Sequence, residues 1–499
     1  MRFHRTLLLT AMMLATSLSG VSAQVPSPTV EGPIDVGRFF VAATIFNLAD
    51  VGYMREEYFI AGTATAFTSA SDLTPDGMWT VTPGGTAAYK TRMVIYRPID
   101  AKDFKGTVLV EWLNVSGGLD AAPDWITAHV EMIRSGMVWV GVSAQFAGVE
   151  VGSSGGAFLP PLKGFSPVRY RSLRHPGDSF SYDMYAQAGQ AIRDASETAI
   201  LGGFKVKRLI AIGESQSAFR MTTYINAMHP RNQLYDGFLV HSRGGGAAGL
   251  SQGPQPVIEA PTPTLIRTDL DVPVLTFQTE TDLFRLGSIA SRQPDTKRVR
   301  LWEVAGTAHA DAYTLATGWD DIRTLVDDDH PLVVGKLTDI VDVVERTSAT
   351  PIPGLIECDR PINSGPQHWV LNAAIAALDR WVRRGKPPRK APRLEVTEGP
   401  NPSFVLDEHG NVRGGVRTPW VDAPIATLSG EGQTGSTFCG IFGTTVLFDD
   451  AKLTSLYPTT RAFVKTHKKA TKRALRKRFL RKKDAKLMRL WAKESNIGG

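Results

Sequence analysis

The stretch Arg208-Leu-Ile-Ala-Ile-Gly-Glu-Ser-Gln-Ser-Ala-Phe-Arg-Met-Thr-Thr-Tyr-Ile-Asn-Ala227 decides how the rest of the chain is read. Its first five residues are a mostly apolar run that suits a buried strand. From Ala218 onward the apolar side chains recur at helical spacing. Between them, Gly213-Glu-Ser-Gln-Ser217 must turn the chain from strand to helix within a few residues. A serine at the apex of such a turn is lifted above the sheet edge, in the arrangement of a nucleophile elbow. The outer positions must be small because strand and helix nearly touch there. Gly213 meets that need fully, and Ser217 stands where a further glycine is usual. The plainer alternative is an ordinary strand-to-helix turn in which Ser215 caps the helix.

The flanking sequence repeats the alternation. Strands are expected near Met93–Arg97, Thr107–Leu113, Met137–Ser143, Arg208–Ile212, Gly237–His241, Val272–Gln278 and Arg298–Val304. Helices fit Pro123–Ser135, Tyr182–Leu201, Ser215–Ala227 and Val370–Arg384. Thr107–Val110 and Met137–Val142 are nearly continuous apolar runs, as in parallel strands covered on both faces. The pattern predicts an α/β fold with a mostly parallel, doubly wound sheet. Ligands bind such sheets beyond the carboxyl ends of the strands, where Ser215 falls. The chain has 499 residues, of which 42% are hydrophobic and 21% charged, so a large core can be buried. Residues 24–400 are expected to form the sheet domain. Residues 401–460, beyond the proline-rich connector Gly385–Pro402, form an irregular extension packed on it, and residues 461–499 form a helical tail.

A nucleophilic serine needs a base, and the base needs an orienting acid. Downstream of Ser215, the strand ending at Gln278 runs into Thr279-Glu-Thr-Asp282. Asp282 is the preferred acid and Glu280 the alternative. The next strand runs into Ala305-Gly-Thr-Ala-His309, a small-residue loop that leaves room for an imidazole to reach the serine. His309 is the preferred base. His368, in Gly365-Pro-Gln-His368, is its rival, while His175 and His241 read as supporting residues. A tetrahedral intermediate also needs an oxyanion hole. The backbone N–H of Gln216 is one candidate donor, and that of Val115 or Ser116, in the loop Asn114-Val-Ser-Gly-Gly118, is the other. No Cys/His cluster has zinc spacing, and neither a P-loop nor a dinucleotide fingerprint occurs, so no metal and no cofactor is expected.

Four segments, Thr107-Val-Leu-Val-Glu-Trp-Leu-Asn-Val-Ser-Gly-Gly118, Gly213-Glu-Ser-Gln-Ser-Ala218, Asp236-Gly-Phe-Leu-Val-His-Ser-Arg-Gly244 and Gly365-Pro-Gln-His368, resemble those of a bacterial family of secreted, little characterised α/β-hydrolase-domain proteins. The resemblance covers most of residues 30–460. It implies the α/β-hydrolase fold and a serine hydrolase, without a substrate. The tail departs from it, being more basic than the resemblance leads one to expect.

That tail dominates the charge. Residues 461–499 hold 15 Lys/Arg and two acids, a local +13, so the total of +7 leaves −6 for the remainder. Its apolar residues, including Phe463, Leu480, Leu487 and Trp491, fit one or two amphipathic helices that pack on the body with a solvated cationic face. Weak adhesion of that face to anionic membrane or envelope material is the functional alternative, and nucleic acid is not an expected partner. At the other end, a basic start, a short apolar run and Val21-Ser-Ala23 read as a signal peptide over residues 1–23, predicting a secreted or periplasmic protein. The two cysteines, Cys358 and Cys439, lie in loop-like sequence and are expected to pair; two buried free thiols are the alternative. Together these features predict an exported serine hydrolase acting on small carboxylic esters. Amide or peptide hydrolysis, or acyl transfer, would use the same triad, and a non-catalytic envelope-binding scaffold is the reading from a different class.

Overall fold

The structure is a computed structural model that describes residues 24–150, 160–196, 200–316, 348–350, 356–436 and 438–499. The expected signal segment 1–23 lies outside the described residues. Among the described residues, nine strands form one sheet: β1 (Thr29–Glu31), β2 (Tyr53–Thr68), β3 (Thr82–Pro98), β4 (Thr107–Trp112), β5 (Val138–Val142), β6 (Arg208–Glu214), β7 (Gly237–His241), β8 (Val274–Gln278) and β9 (Val299–Glu303). Their spatial order is β1-β2-β3-β5-β4-β6-β7-β8-β9. Every pair from β5 to β9 is parallel, whereas β1, β2 and β3 pair antiparallel and β3 joins β5 antiparallel.

Alternation along each strand divides the core in two. Val108, Val110, Leu209 and Ala211 face one cluster with Tyr182, Tyr185 and Met221, which are carried by α2 (Ser181–Arg193) and α3 (Gln216–Thr223). Leu109, Ile210, Ile212, Leu275 and Phe277 face the other with Trp125, Ala128, Val370 and Leu371. Those last four belong to α1 (Pro123–Arg134) and α5 (Gln367–Arg384), with the short α4 (Glu280–Phe284) between α3 and α5 in the chain. Strands buried on both faces therefore read as predominantly apolar runs, and the expected positions of β4 to β9 agree with the structure to within two residues at each end.

Elsewhere the structure departs from the pattern. The expected strand at Met93–Arg97 is only the buried end of β3, whose first residues, Thr82–Thr86, are exposed and held by their ladder to β2 rather than by a core face. The helix expected over Tyr182–Leu201 stops at Arg193, and a separate turn at Ile200–Gly203 puts Leu201 and Gly202 at positive φ. The helix after Ser215 passes into a π-helical turn at Tyr224–Met228. Residues 401–460 are not wholly irregular: β10 (Ala426–Ser429) and β11 (Thr444–Leu447) form an antiparallel pair.

The tail folds as a helical hairpin of α6 (Thr460–Lys477) and α7 (Lys482–Glu494). Phe463, Leu480, Leu487, Met488 and Trp491 pack with Trp369 and Trp420, and Phe479 reaches Trp302 beneath the sheet. Polar contacts fix the docking: Arg134 pairs with the buried Asp484, and Arg481 with Glu131 at 2.8 Å. The lysines, among them Lys465, Lys472, Lys477 and Lys483, face outward. Cys358 and Cys439 are joined in a disulfide that spans 81 residues of sequence.

Candidate active site

Ser215 stands at the carboxyl end of β6 with φ 56° and ψ −121°, a backbone conformation that a non-glycine residue holds only when its surroundings impose it. Its N–H donates to the His241 carbonyl at 3.0 Å, and its own carbonyl accepts from Ala218 at 2.8 Å. The need for small residues is visible in the packing. A Cβ added to Gly213 would lie 3.1 Å from the Ser217 carbonyl oxygen and 3.3 Å from Ser217 Cβ. Ser217 itself is fully buried, and its hydroxyl finds no partner among the described residues.

Ser215 Oγ lies 2.8 Å from His309 Nε2, and His309 Nδ1 lies 2.7 Å from Asp282 Oδ1. Asp282 is held on its other side: Oδ2 accepts from the Thr279 N–H at 2.6 Å in a capping box that starts α4. The His309 backbone is tied by its N–H to Thr281 Oγ1 at 3.2 Å and by its carbonyl to Gln367 Nε2 at 3.3 Å. Burial alone would lower the pKa of the imidazole, but Glu214 and Asp282 outweigh it and raise His309 to about 9.

The two alternatives stand elsewhere. Glu280 is fully buried and accepts from the Gly306 N–H at 2.6 Å and the Gly430 N–H at 2.8 Å, joining the histidine loop to the segment after β10. His368 lies flat against Tyr313, with ring centroids 3.6 Å apart, and is not the imidazole beside Ser215. Of the other histidines, His175 bonds the Ala144 carbonyl at 3.0 Å, and His241 Nδ1 contacts Asp124 Oδ1 at 2.8 Å.

The Gln216 N–H begins α3 and so has no acceptor within the helix. The Val115 N–H also lacks one among the described residues, whereas the Ser116 N–H donates to Asn114 Oδ1 at 2.8 Å. Of the two upstream candidates, Val115 therefore keeps its donor free and Ser116 does not.

Three residues around Ser215, Asn114, Gln145 and Glu214, are assigned no role by the sequence, and His241 reads there only as a supporting residue. Asn114 Nδ2 reaches the Glu214 carbonyl at 3.2 Å and Glu214 Oε2 at 3.4 Å. Gln145 Nε2 donates to Gln216 Oε1 at 2.9 Å and to the Leu113 carbonyl at 3.3 Å, fastening the elbow to the loops after β4 and β5. Glu214 Oε1 lies 3.2 Å from His309 Nε2, and burial pushes its carboxyl up to about 7 against the opposing pull of His309 and His241. His241 reaches the elbow through its backbone carbonyl. Only their place next to the elbow or at the end of a neighbouring strand could have pointed to any of them.

The sequence matches the family described as "Alpha/beta hydrolase domain" over residues 25–489. The chain belongs to that family. The match runs into α7, so it takes in most of the helical tail. No curated protein matches the sequence. Among solved structures, this hydrolase-domain protein is similar to fungal esterases from Rhizomucor miehei, with 11% identity, a TM-score of 0.29, and coverage of 65% of this chain and 85% of theirs. A glucuronoyl esterase from Solibacter usitatus has 12% identity and a TM-score of 0.29, covering 57% of this chain and 82% of its own. A thermostable esterase from Pseudomonas putida ECU1011 has 14% identity and a TM-score of 0.26, covering 50% and 70%.

Proposed function

We propose that this α/β-hydrolase-domain protein is an exported serine hydrolase that cleaves small carboxylic esters through an acyl-enzyme. The observation that carries the proposal is the unbroken hydrogen-bonded line from Ser215 Oγ through His309 to Asp282, at 2.8 and 2.7 Å. In this reading Ser215 Oγ attacks the ester carbonyl while His309 Nε2 takes its proton. Asp282 keeps the other proton on Nδ1 and stabilises the imidazolium that forms. The Gln216 and Val115 amides receive the charge that develops on the carbonyl oxygen. His309 then hands its proton to the departing alcohol, and a water activated by the same imidazole releases the acid.

Export belongs to the same proposal, supported by the composition of residues 1–23 and by the Cys358–Cys439 bond, which suits an oxidising compartment. The test is covalent labelling with a fluorophosphonate probe. The parent protein labels and turns over p-nitrophenyl esters, and Ser215→Ala does neither. Equal labelling of Ser215→Ala sinks the nucleophile assignment. Labelling of the parent with turnover of p-nitroanilides, but not of esters, moves the substrate class to amides.

A further inference from the structure

Nothing in the serine–histidine–aspartate scheme uses Glu214. Yet Glu214 Oε1 lies 3.2 Å from His309 Nε2, the same nitrogen that Ser215 Oγ approaches at 2.8 Å. The two side chains are 8% and 5% exposed, so little water screens them. His309 Nδ1 is committed to Asp282. A neutral imidazole of that tautomer presents a lone pair at Nε2, and a carboxylate oxygen facing a lone pair is repelled. The pair is at rest only when a proton lies between them, on Nε2 or on Oε1.

The remaining groups around Glu214 do not supply that proton. His241, at the end of β7, is engaged by Asp124, at the start of α1, at 2.8 Å. Asn114 offers an amide N–H to Oε2, and Asp282 adds a further negative charge on the far side of His309. These groups act together, and the protons belong to the pair rather than to either residue.

We propose that Glu214 is a positioning residue of the hydrolytic cycle: in the resting protein it shares one proton with His309, and loss of that proton frees Nε2 to serve Ser215 as the base. The inference rests on the proposed function. Its consequence for the cycle is specific. With the shared proton present, Nε2 is occupied and Ser215 keeps its hydrogen. With it gone, the carboxylate faces an empty Nε2, and the proton arriving from Ser215 creates an imidazolium held between two carboxylates, Asp282 and Glu214. The protein is therefore most active on the alkaline side of neutrality.

The experiment is the pH dependence of fluorophosphonate labelling and of kcat/KM on a p-nitrophenyl ester, for the parent and for Glu214→Gln. The parent rate is expected to rise with the loss of one proton through a limb above about pH 7, beyond the ordinary histidine value of about 6.5. In Glu214→Gln that limb moves down by about one pH unit or more, because one negative neighbour of the imidazolium is gone. The alkaline plateau falls by about tenfold for the same reason. A merely structural role would lower the plateau without moving the limb, so an unmoved limb in a folded, labelling Glu214→Gln overturns the inference. If Glu214→Gln does not fold, the parent alone decides: a limb at or below about pH 6.5 overturns it. Failure of Ser215 to label at any pH sinks the hydrolase reading instead, and the two failures are distinguishable.

Discussion

Asp282→Asn is the sharpest test of the site, because the structure leaves the amide no good orientation. Asp282 is fully buried and uses both oxygens as acceptors, Oδ1 from His309 Nδ1 at 2.7 Å and Oδ2 from the Thr279 N–H at 2.6 Å. Asparagine has one acceptor. If its oxygen faces His309, its NH2 meets the Thr279 N–H and the capping box is lost, at a cost of about 0.5–2 kcal/mol in stability. If its oxygen faces Thr279, its NH2 donates to Nδ1, which forces the proton onto Nε2. Ser215 Oγ, 2.8 Å away, then faces a donor instead of a base. The second orientation keeps the fold at the expense of catalysis. The same exchange in a serine–histidine–aspartate site lowers kcat about ten-thousandfold with geometry intact, equivalent to about 5 kcal/mol in barrier height. The assay is kcat on a p-nitrophenyl ester, with a thermal melt beside it. A folded Asp282→Asn that keeps its rate within tenfold of the parent would refute the role given to Asp282.

Two further outcomes are expected. Glu280→Gln turns one donor towards the Gly306 or Gly430 N–H and costs about 1–3 kcal/mol, read as a lower denaturant midpoint; a loss of turnover as deep as that of Asp282→Asn would instead return Glu280 to the acid role. The buried His467, whose surroundings lower its pKa to about 4, stays neutral in the folded tail. The unfolded chain takes up a proton there below about pH 6.5 and the folded chain does not, so stability falls as pH drops from that value towards 4, by up to about 2 kcal/mol at pH 5. His467→Phe keeps a ring against Trp420 and Trp491, and it should flatten the acid side of a stability-versus-pH curve. An unchanged slope would mean that other groups drive the acid loss.

What could be read from the sequence divides along physical lines. β4 to β9 were legible because burial on both faces makes these strands predominantly apolar over five to seven residues. The meeting of Ser215, Asp282 and His309 was legible because each lies within about six residues of the carboxyl end of a strand, and the geometry of a parallel sheet brings strand ends together. The exposed start of β3 was not, since ladder bonds alone hold it and they leave no mark on composition. Glu280 and Asp282 were hard to separate because both fall in the first turn of α4. Only the helix phase turns one towards His309 and the other towards Gly306 and Gly430. Glu214 stood in the opening motif throughout, yet nothing in the spacing tells which way a residue beside the elbow serine points.

The segment after β10 changes how the site is bounded. His309 sits on a loop whose Gly306 has φ 76°, and a Cβ there would press within 2.7 Å of Val421. Such a loop has little stiffness of its own, yet it must keep an imidazole within a few tenths of an ångström of two partners. The stiffness is supplied from outside the sheet. Glu280 bonds Gly306 and Gly430 at once, Thr281 Oγ1 donates to the Gly430 carbonyl at 2.7 Å, and Asn363 Nδ2 reaches the Gly306 and Ser429 carbonyls at 3.3 and 3.1 Å. The acid loop, the base loop and the end of β10 are one polar unit, every member of which is buried or nearly so. Residues 401–460 are therefore no passive cover on a finished hydrolase body. They hold the histidine in register, and a change at Gly430 would be felt at Ser215 through Glu280 and Gly306 even though it touches neither the nucleophile nor the base.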